Sequence, residues 1–342
     1  MKTIKINLSH TSYEIKLGEG ILNKLPDFLG EIGFSGRLVI ICDTVIEKLH
    51  LDALKGVLKN GAVDFETIVI NSGEEYKTLE TVSEIYERLA ELKVSRKDTI
   101  LAFGGGVTGD ISGFVAATYL RGIDYIQMPT TLLSMVDSSI GGKTGVDLLY
   151  GKNLVGAFKQ PKLVVADTSF LNTLPKIQLS SGMAEVIKAG LIRDKNLTEL
   201  LLNSDDFNKD KEEIILKAIN VKKEIVEADE FEKYERMLLN FGHTFGHAIE
   251  KYYNFKDITH GQAVAFGMKL ITKNKDISDL LEKLLSKYGL SRECEVPVKE
   301  IIRLSQNDKK ANGECLNIIT IEKVGEGVIK NISFSELEEE YV

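Results

Sequence analysis

Residues 99–110 read Thr99-Ile100-Leu101-Ala102-Phe103-Gly104-Gly105-Gly106-Val107-Thr108-Gly109-Asp110. An apolar run typical of a buried strand is followed by glycines at the G-x-G-x-x-G spacing, Gly104, Gly106 and Gly109. A strand that turns through glycines into a helix can bind a nucleotide, because glycine lets backbone N–H groups approach a pyrophosphate at the helix N-terminus. The spacing alone is weak evidence, and a tight strand-to-helix turn is the alternative that it leaves open.

Short apolar strands alternate with helical patterns on both sides of this turn. Leu38–Asp43 and Glu66–Ile70 precede it, and Gly122–Met128 and Leu163–Ala166 follow it. Between them, Leu79–Leu92 carries apolar residues at helical spacing. This alternation predicts a mostly parallel α/β sheet.

The pattern changes near residue 171. Long helical stretches such as Glu212–Glu227 replace the strands, apart from a late hairpin predicted at Leu316–Ile321 and Gly327–Ile329. A chain of 342 residues suits two domains of ordinary size. We therefore predict an α/β domain in residues 1–170 and a mostly α-helical domain in residues 171–342.

Composition and charge limit the classes of function. The net charge of -8 argues against nucleic-acid binding, so an anionic ligand would need a local basic pocket. No apolar run is long enough to span a membrane, and the N-terminus has no signal-peptide pattern. Three cysteines without CxxC spacing argue against disulfides and fit a cytoplasmic protein.

Several polar residues follow predicted strands, where ligands bind in open α/β sheets. Asp43 could hold a ribose hydroxyl or cap the next helix, and the sequence favours neither role. Glu74–Lys77 and Thr130–Thr131 occupy comparable positions after later strands. These segments strengthen the interpretation of the glycine turn as a ligand site.

Three of the five histidines, His243, His247 and His260, fall in one short stretch. Their spacing places His243 and His247 on one helix face, so spacing alone predicts this pair as metal ligands. Glu185 is the natural carboxylate for a third ligand, and Lys188 would share its helix face. A lone histidine is usually an ordinary core or surface residue, but the cluster favours a functional site.

A second glycine-rich turn, Gly141–Val146, carries Lys143. Its Gly-Lys-Thr sequence suggests a P-loop, but that motif requires glycine where this chain has Asp137. P-loop nucleotide binding is therefore excluded. Other candidates for anion binding are Arg121, Lys152, Lys188, Lys222, Arg236, Lys309 and Lys310. Each is an ordinary surface charge by default except Lys188, which shares the helix face of Glu185.

Together these motifs resemble the 3-dehydroquinate synthase family, in order and over nearly the whole chain. The matching segments are Gly73–Lys77, Gly104–Asp110, Gly113–Ala117, Arg121–Gly122, Pro129–Leu133, Val136–Gly145, Gly151–Asn153, Ser181–Lys188, Leu239–Glu250, His260–Gly261 and Asp308–Lys310. Many long motifs in one order are far more specific than a single motif.

The resemblance implies a Rossmann-like, NAD-binding α/β domain, followed by a mostly α-helical domain that binds metal and substrate. It implies NAD and Zn²⁺ (or Co²⁺) as cofactors, an anionic sugar phosphate as substrate, and a cytoplasmic homodimer that binds neither nucleic acid nor membrane. The implied metal ligands are Glu185, His243 and His260. His247 is then assigned to the substrate phosphate instead of the metal.

The resemblance also assigns the remaining site residues. Cofactor contacts are implied for Asp43, Glu74, Lys77, Gly105, Gly106, Val107, Gly109, Asp110, Thr130, Thr131, Lys143, Lys152, Phe170 and Thr173. Contacts to the substrate carboxylate are implied for Lys143, Arg236 and Asn240, and contacts to its phosphate for Asn153, Lys188, His247 and one of Lys309 or Lys310. Asp137, Glu185 and Lys222 are expected near the reacting hydroxyls, and Arg121 is expected to reach the partner subunit's site.

The implied reaction converts 3-deoxy-D-arabino-heptulosonate 7-phosphate into 3-dehydroquinate and phosphate, a step of the shikimate pathway towards the aromatic amino acids. Oxidation by NAD turns the C5 hydroxyl into a ketone, which acidifies the C6 proton so that phosphate is eliminated. Reduction, ring opening and an intramolecular aldol closure follow, with the metal acting as Lewis acid. The substrate phosphate can serve as the base, so the protein mainly positions and stabilises charge.

Two departures from the family pattern bear on this interpretation. Ile177-Gln178 replaces the usual Arg-Glu, a change that we interpret as structural, whereas Asp147 replaces an asparagine in the site region. The alternatives are a related cyclase of the 2-deoxy-scyllo-inosose or valiolone type, a metal-dependent alcohol dehydrogenase, and a catalytically silent anion- or nucleotide-binding protein. Asn240 and Lys222, which some related cyclases change, favour the synthase. The intact metal cluster argues against a silent protein.

Overall fold

The structure, a computed structural model, describes residues 1–292, 294–307 and 315–341. It falls into two compact units, Met1–Leu174 and Pro175–Val342, which we call the first and second unit. The division predicted after residue 170 lies just before this boundary.

The first unit alternates strands and helices. Its strands are β1 (Lys2–Asn7), β2 (Ser12–Gly18), β3 (Leu38–Asp43), β4 (Phe65–Ile70), β5 (Thr99–Gly104), β6 (Asp124–Pro129), β7 (Lys143–Leu148), β8 (Gly151–Phe158) and β9 (Leu163–Asp167). Its α-helices are α1 (Leu25–Glu31), α2 (Thr44–Ile46), α3 (Asp52–Asn60), α4 (Leu79–Glu91) and α5 (Gly106–Thr118). Glu47–Leu51 and Ser134–Ser138 form π-helical turns.

Seven strands form one sheet in the order β1-β2-β9-β6-β5-β3-β4, and β7 pairs with β8 separately. All neighbours in the large sheet are parallel except β1 and β2, which confirms the predicted mostly parallel sheet. Strand order reverses between β3 and β5, because β4 lies outside β3 while β6 lies on the other side of β5. In open α/β sheets ligands bind at such a switch point, beyond the carboxyl ends of the strands.

Packing against the buried strands explains the helical spacing of apolar residues in the first unit. Strands β3, β5 and β9 are buried along their whole length. The predicted helix at Leu79–Leu92 is confirmed as α4, which begins after Thr78, whose side chain accepts the N–H of Thr81. Its buried residues Val82, Ile85 and Leu89 recur at helical spacing and pack against the sheet.

The second unit is mostly helical. Its helices are α6 (Lys176–Ile192), α7 (Lys195–Asn203), α8 (Phe207–Ala228), α9 (His243–Tyr252), α10 (His260–Ile271), α11 (Lys275–Lys287), α12 (Val298–Asn307) and α13 (Phe334–Tyr341). Strands β10 (Cys315–Lys323) and β11 (Glu326–Ser333) pair in antiparallel fashion, which confirms the predicted hairpin. In the part of the chain that the structure describes, no helix combines the length and the apolar character needed to cross a bilayer.

Candidate functional site

Three helices of the second unit bring a carboxylate and two imidazoles together. Glu185 lies within α6, while His243 and His260 are the first residues of α9 and α10. Their ligand atoms all lie within 4.8 Å of one another. Glu185 Oε1 is 3.5 Å from His243 Nε2 and 3.7 Å from His260 Nε2. Two ligand atoms that each lie ~2.0 Å from a tetrahedral zinc ion are separated by about 3.3 Å, so the three side chains suit a His₂Glu zinc site.

The far nitrogen of each imidazole faces an acceptor. His243 Nδ1 lies 3.3 Å from the Phe241 carbonyl oxygen, and His260 Nδ1 lies 3.4 Å from Glu250 Oε2. A carbonyl can only accept, so Nδ1 of His243 carries the proton and Nε2 keeps a lone pair for a metal. Acceptors in this position orient metal-binding histidines in known sites.

The charges around the cluster favour an ionised Glu185. Burial alone would raise the pKa of Glu185, but its buried ion pair with Lys188 and the two nearby histidines hold that pKa well below its ordinary value. Burial, together with Lys188, holds the pKa of His243 well below its ordinary value, so this ring is neutral. Burial would also lower the pKa of His260, but Glu185 and Glu250 raise it to about 10.

Glycines hold the three ligand-bearing helices in backbone contact. A Cβ atom on Gly261, the residue after His260, would lie 2.2 Å from the backbone oxygen of Ser181 in α6. A Cβ atom on Gly267 would lie 1.9 Å from the backbone oxygen of Gly242, the residue before His243. Only glycine permits either approach. The spacing of the ligands is therefore set by backbone packing.

His247 lies one helical turn after His243 and is exposed. Its ring centroid is 5.4 Å from that of His243 and 6.3 Å from that of His260. The converging ligand atoms belong to Glu185, His243 and His260, the set implied by the resemblance, and not to the pair suggested by spacing. His247 is thus beside the cluster and accessible to a bound molecule.

A loop after α8 supports the residues assigned to the substrate carboxylate. The guanidinium of buried Arg236 donates to the backbone oxygen of Glu230, and Asn240 Nδ2 donates to Glu232 Oε1 at 2.9 Å. Lys222, expected near the reacting hydroxyls, is buried within α8. Lys309 and Lys310 lie outside the described residues.

Asp229 organises this loop, although the sequence did not single it out. Its carboxylate accepts the backbone N–H groups of Lys233, Tyr234 and Arg236 at 2.7–3.1 Å. These hydrogen bonds outweigh the opposing effect of desolvation and lower the pKa of Asp229. The ionised carboxylate therefore fixes the chain around Arg236.

In the first unit, the glycine turn joins β5 to α5 at the switch point. Gly105 caps α5, and the backbone N–H of Thr130 at the end of β6 donates to the Gly104 oxygen at 2.9 Å. A Cβ atom on Gly104 would lie 2.6 Å from Thr108 Oγ1, so close packing of the turn requires this glycine. Gly106 and Val107 form the first turn of α5, the helix end at which an anion would bind.

Asp43 adopts the helix-cap role that the sequence left open. Its Oδ1 accepts the N–H groups of Val45 at 2.8 Å and Ile46 at 3.1 Å. Thr108 in α5 also donates to Asp43 Oδ2 at 3.2 Å. The cap therefore ties the end of β3 to the helix that follows the glycine turn.

Five of the predicted site residues in the first unit form one polar cluster. Buried Lys77 donates to Asp110 Oδ2 and to Asn153 Oδ1, both at 2.6 Å. Lys152 pairs with Glu74 at 3.3 Å. Desolvation raises the pKa of Asp110, and Lys77 offsets this effect only in part. Asn153, which the resemblance assigned to the substrate phosphate, is exposed and held here by Lys77.

Other predicted residues of the first unit line nearby turns. Thr130 is buried after β6, and the Oγ1 atom of Thr131 accepts the N–H of Ser134 at 3.1 Å. Asp137 lies in the second π-helical turn, and Lys143 is the exposed first residue of β7. Since a P-loop lysine precedes a helix, this strand agrees with the exclusion of a P-loop. Gly109 lies on the buried side of α5.

His50 is a neighbour of the predicted cofactor residues that the sequence did not indicate. Its Nε2 lies 2.8 Å from Thr173 Oγ1, and its ring centroid is 4.9 Å from that of Phe170. A single histidine in a π-helical turn has no recognisable local pattern, so only the structure reveals these contacts.

Two family models match the chain. The 3-dehydroquinate synthase N-terminal model matches residues 67–181, and the C-terminal model matches residues 182–311. The chain belongs to the 3-dehydroquinate synthase family. A curated 3-dehydroquinate synthase of Clostridium kluyveri is 44% identical, and the match covers 98% of this chain and 97% of that protein.

Solved structures of related cyclases share the whole fold with this family member. A 2-deoxy-scyllo-inosose synthase complexed with carbaglucose-6-phosphate, NAD⁺ and Co²⁺ superposes with a TM-score of 0.87 at 26% identity, over 99% of this chain and 98% of that one. The 2-epi-5-epi-valiolone synthase of Streptomyces hygroscopicus, with NAD⁺ and Zn²⁺ bound, gives 0.86 at 26% identity, over 97% and 96%.

The two departures from the family pattern have different surroundings. Ile177 and Gln178 are exposed in the first turn of α6. Asp147 accepts the N–H of Asn153 at 2.7 Å, and its own N–H donates to the Lys77 backbone oxygen at 2.8 Å. An asparagine oxygen could accept the same N–H, so Asp147 preserves this local hydrogen bond.

Proposed function

We propose that this chain is a 3-dehydroquinate synthase, which converts 3-deoxy-D-arabino-heptulosonate 7-phosphate into 3-dehydroquinate and phosphate. The observation that carries the proposal is the convergence of Glu185, His243 and His260 in a chain that belongs to this family over its two matched segments. Their donor set suits Zn²⁺, or Co²⁺ in its place. NAD is the proposed cofactor of the first unit.

When bound, the metal supplies Lewis-acid polarisation of the substrate oxygens, and NAD supplies a hydride acceptor that returns the hydride before release. Glu185 contributes a carboxylate that Lys188 keeps ionised. His243 and His260 each present Nε2 to the same point beside that carboxylate. The chain thus fixes the metal-ligand atoms before substrate arrives, which limits reorganisation of the site during the reaction.

We assign the substrate's anionic ends to basic and amide side chains of the second unit. Arg236 is held by the Glu230 carbonyl and by the loop that Asp229 organises, so its fork is oriented for a carboxylate. Asn240 lies at the end of the same segment. His247 is exposed beside the metal ligands, which supports its assignment to the phosphate.

The cofactor is assigned to the carboxyl ends of β3, β5 and β6 in the first unit. The glycine turn offers backbone N–H groups at the start of α5, where a pyrophosphate is stabilised. The buried Lys77–Asp110 pair holds the exposed Asn153 in place. These features support NAD binding at the switch point.

We further propose a cytoplasmic homodimer in the shikimate pathway, in which Arg121 serves the partner's site. Leu120 and Arg121 both have positive φ angles, of 51° and 65°, and Arg121 is exposed. The exposure of Arg121 supports a contact outside its own subunit. If Arg121 acts across the dimer, a mixture of Arg121→Ala and His260→Ala subunits should regain up to about a quarter of wild-type activity, because half of the dimers would hold one intact site. Arg121 acting within its own subunit would leave the mixture inactive.

The decisive experiment measures phosphate released from the heptulosonate phosphate with catalytic NAD. We expect stoichiometric phosphate and 3-dehydroquinate, no net NADH, and loss of activity after exhaustive chelation or in His260→Ala. Cyclisation of a different sugar phosphate would instead identify a related cyclase, and NADH accumulation with an alcohol would identify a dehydrogenase. Phosphate release that survives chelation would contradict the metal site.

A further inference from the structure

Glu250 is a buried carboxylate behind the metal cluster. It lies seven residues after His243 on α9, so both residues share one face of that helix. Its side chain is 3% exposed, and Oε2 lies 3.4 Å from Nδ1 of His260 on the neighbouring helix α10. Burial of a carboxylate is unfavourable unless it is paired, so this placement indicates a specific partner.

We infer that Glu250 is a positioning residue for the metal, acting through His260. When a metal displaces the Nε2 proton, Glu250 still accepts the Nδ1 proton, so the ring keeps one tautomer and its Nε2 faces the point shared with Glu185. The inference rests on the proposed function, because it presumes that Glu185, His243 and His260 hold a metal ion.

The two imidazoles of the cluster are supported unequally. His243 faces the neutral carbonyl of Phe241, whereas His260 faces a carboxylate. An anionic acceptor raises the basicity of the ligand nitrogen more than a carbonyl does. Glu250 therefore makes His260 the stronger donor of the pair and ties α9, which carries His243, to the second histidine.

The test compares metal binding by the full-length wild type, Glu250→Gln and Glu250→Ala. Removing a carboxylate behind a histidine ligand typically weakens metal binding 10–100-fold, so we expect a Kd for Zn²⁺ about 10–100 times higher in Glu250→Gln and higher still in Glu250→Ala. Competition with a chromophoric chelator measures the Kd without any catalytic assay. The visible spectrum of bound Co²⁺ should also change in Glu250→Gln, because its ligand field reports the His260 geometry.

A matched control is Glu282→Gln. It removes an exposed glutamate of α11 that pairs at 2.7 Å with Lys269, a residue of α10, the helix that carries His260. Both readouts should stay at wild-type values in this variant. Thermal unfolding in excess chelator separates positioning from general stability. Wild-type Kd values and Co²⁺ spectra in both Glu250 variants would overturn the inference, even if the metal-free variants unfold earlier. Absence of metal binding by the wild type would instead overturn the proposed function.

Discussion

Loss of the Lys77 charge should destabilise the first unit strongly. Lys77 Nζ lies 2.6 Å from Asp110 Oδ2, with side-chain exposures of 5% and 17%. Breaking a fully buried pair costs about 3–5 kcal/mol, because the remaining charge is left uncompensated. Since Asp110 keeps some contact with water, we expect Lys77→Met to lower the free energy of unfolding by about 2–4 kcal/mol.

This deficit should grow with pH. Desolvation raises the pKa of Asp110 above its ordinary value even with Lys77 present, and loss of Lys77 raises it further. The folded variant then retains a proton that the unfolded chain releases, so stability falls as pH rises between the unfolded and folded pKa values of Asp110. We expect a smaller deficit at about pH 5 than at about pH 8.

The chain has no tryptophan, so urea unfolding is best followed by circular dichroism. Hydrogen exchange in β5 and α5 reports the first unit separately from the second. The double variant Lys77→Met/Asp110→Asn should recover most of the loss, because it leaves no buried unpaired charge. The reasoning is refuted if Lys77→Met matches the wild type at pH 8, or if the double variant is less stable than the single one.

Three further predictions concern the second unit. Zinc binding near pH 8 should release about one proton, because the pKa of His260 is raised to about 10, and calorimetry in buffers of different ionisation enthalpy counts that proton. Gly267→Ala should lower the free energy of unfolding by about 3 kcal/mol or more, because its Cβ would lie 1.9 Å from the Gly242 oxygen. The control Gly56→Ala, in α3 of the first unit, adds a Cβ that meets nothing within 4 Å beyond its own helix backbone, so it should not be destabilising, and a loss in both variants would contradict the packing argument. Asp229→Ala should raise the KM for the sugar phosphate about tenfold and lower kcat less, because the loop at the carboxylate site loses three hydrogen bonds; an unchanged KM would contradict this role.

Local signals in the sequence are sufficient to predict the strand-to-helix segment around the glycine turn. The apolar run 99–103 and the following glycines predict a buried strand and a tight turn, and the structure has both in β5 and the start of α5. Helical spacing likewise predicted α4. These elements depend on neighbours within a few residues, which periodicity can capture.

Local sequence pattern was not sufficient to predict the metal cluster. Spacing identified the face of α9 that carries His243, but Glu185 and His260 lie on other helices, and periodicity does not specify which helices meet. Residue type suggested Glu185, and His260 belonged to the histidine cluster, but only the family motifs assigned His260 in place of His247 as a ligand. Glu250 shares the His243 face by spacing alone, yet its partner on α10 becomes visible only in the fold.

The pairing of buried polar side chains could not be predicted from the sequence either. Lys77 and Asp110 belong to separate motifs, and nothing in either motif indicates that they form one ion pair. The same holds for His50, whose contacts with Thr173 and Phe170 depend on a π-helical turn and a distant segment. Such pairings join segments that are distant in the chain, and residue spacing does not predict which distant segments meet.

The glycine contacts of the second unit determine how its metal chemistry can evolve. Gly261 and Gly267 let α6, α9 and α10 meet backbone to backbone, so backbone contacts set the spacing of the helices that carry the ligands. A mutation at one ligand position can change the donor atom while the other two stay in place. A preference for a different ion is therefore accessible by single substitutions of ligands, whereas a side chain at Gly261 would push α10 from α6 and one at Gly267 would push α10 from the start of α9. The scaffold is permissive towards donor chemistry and intolerant of changes in spacing.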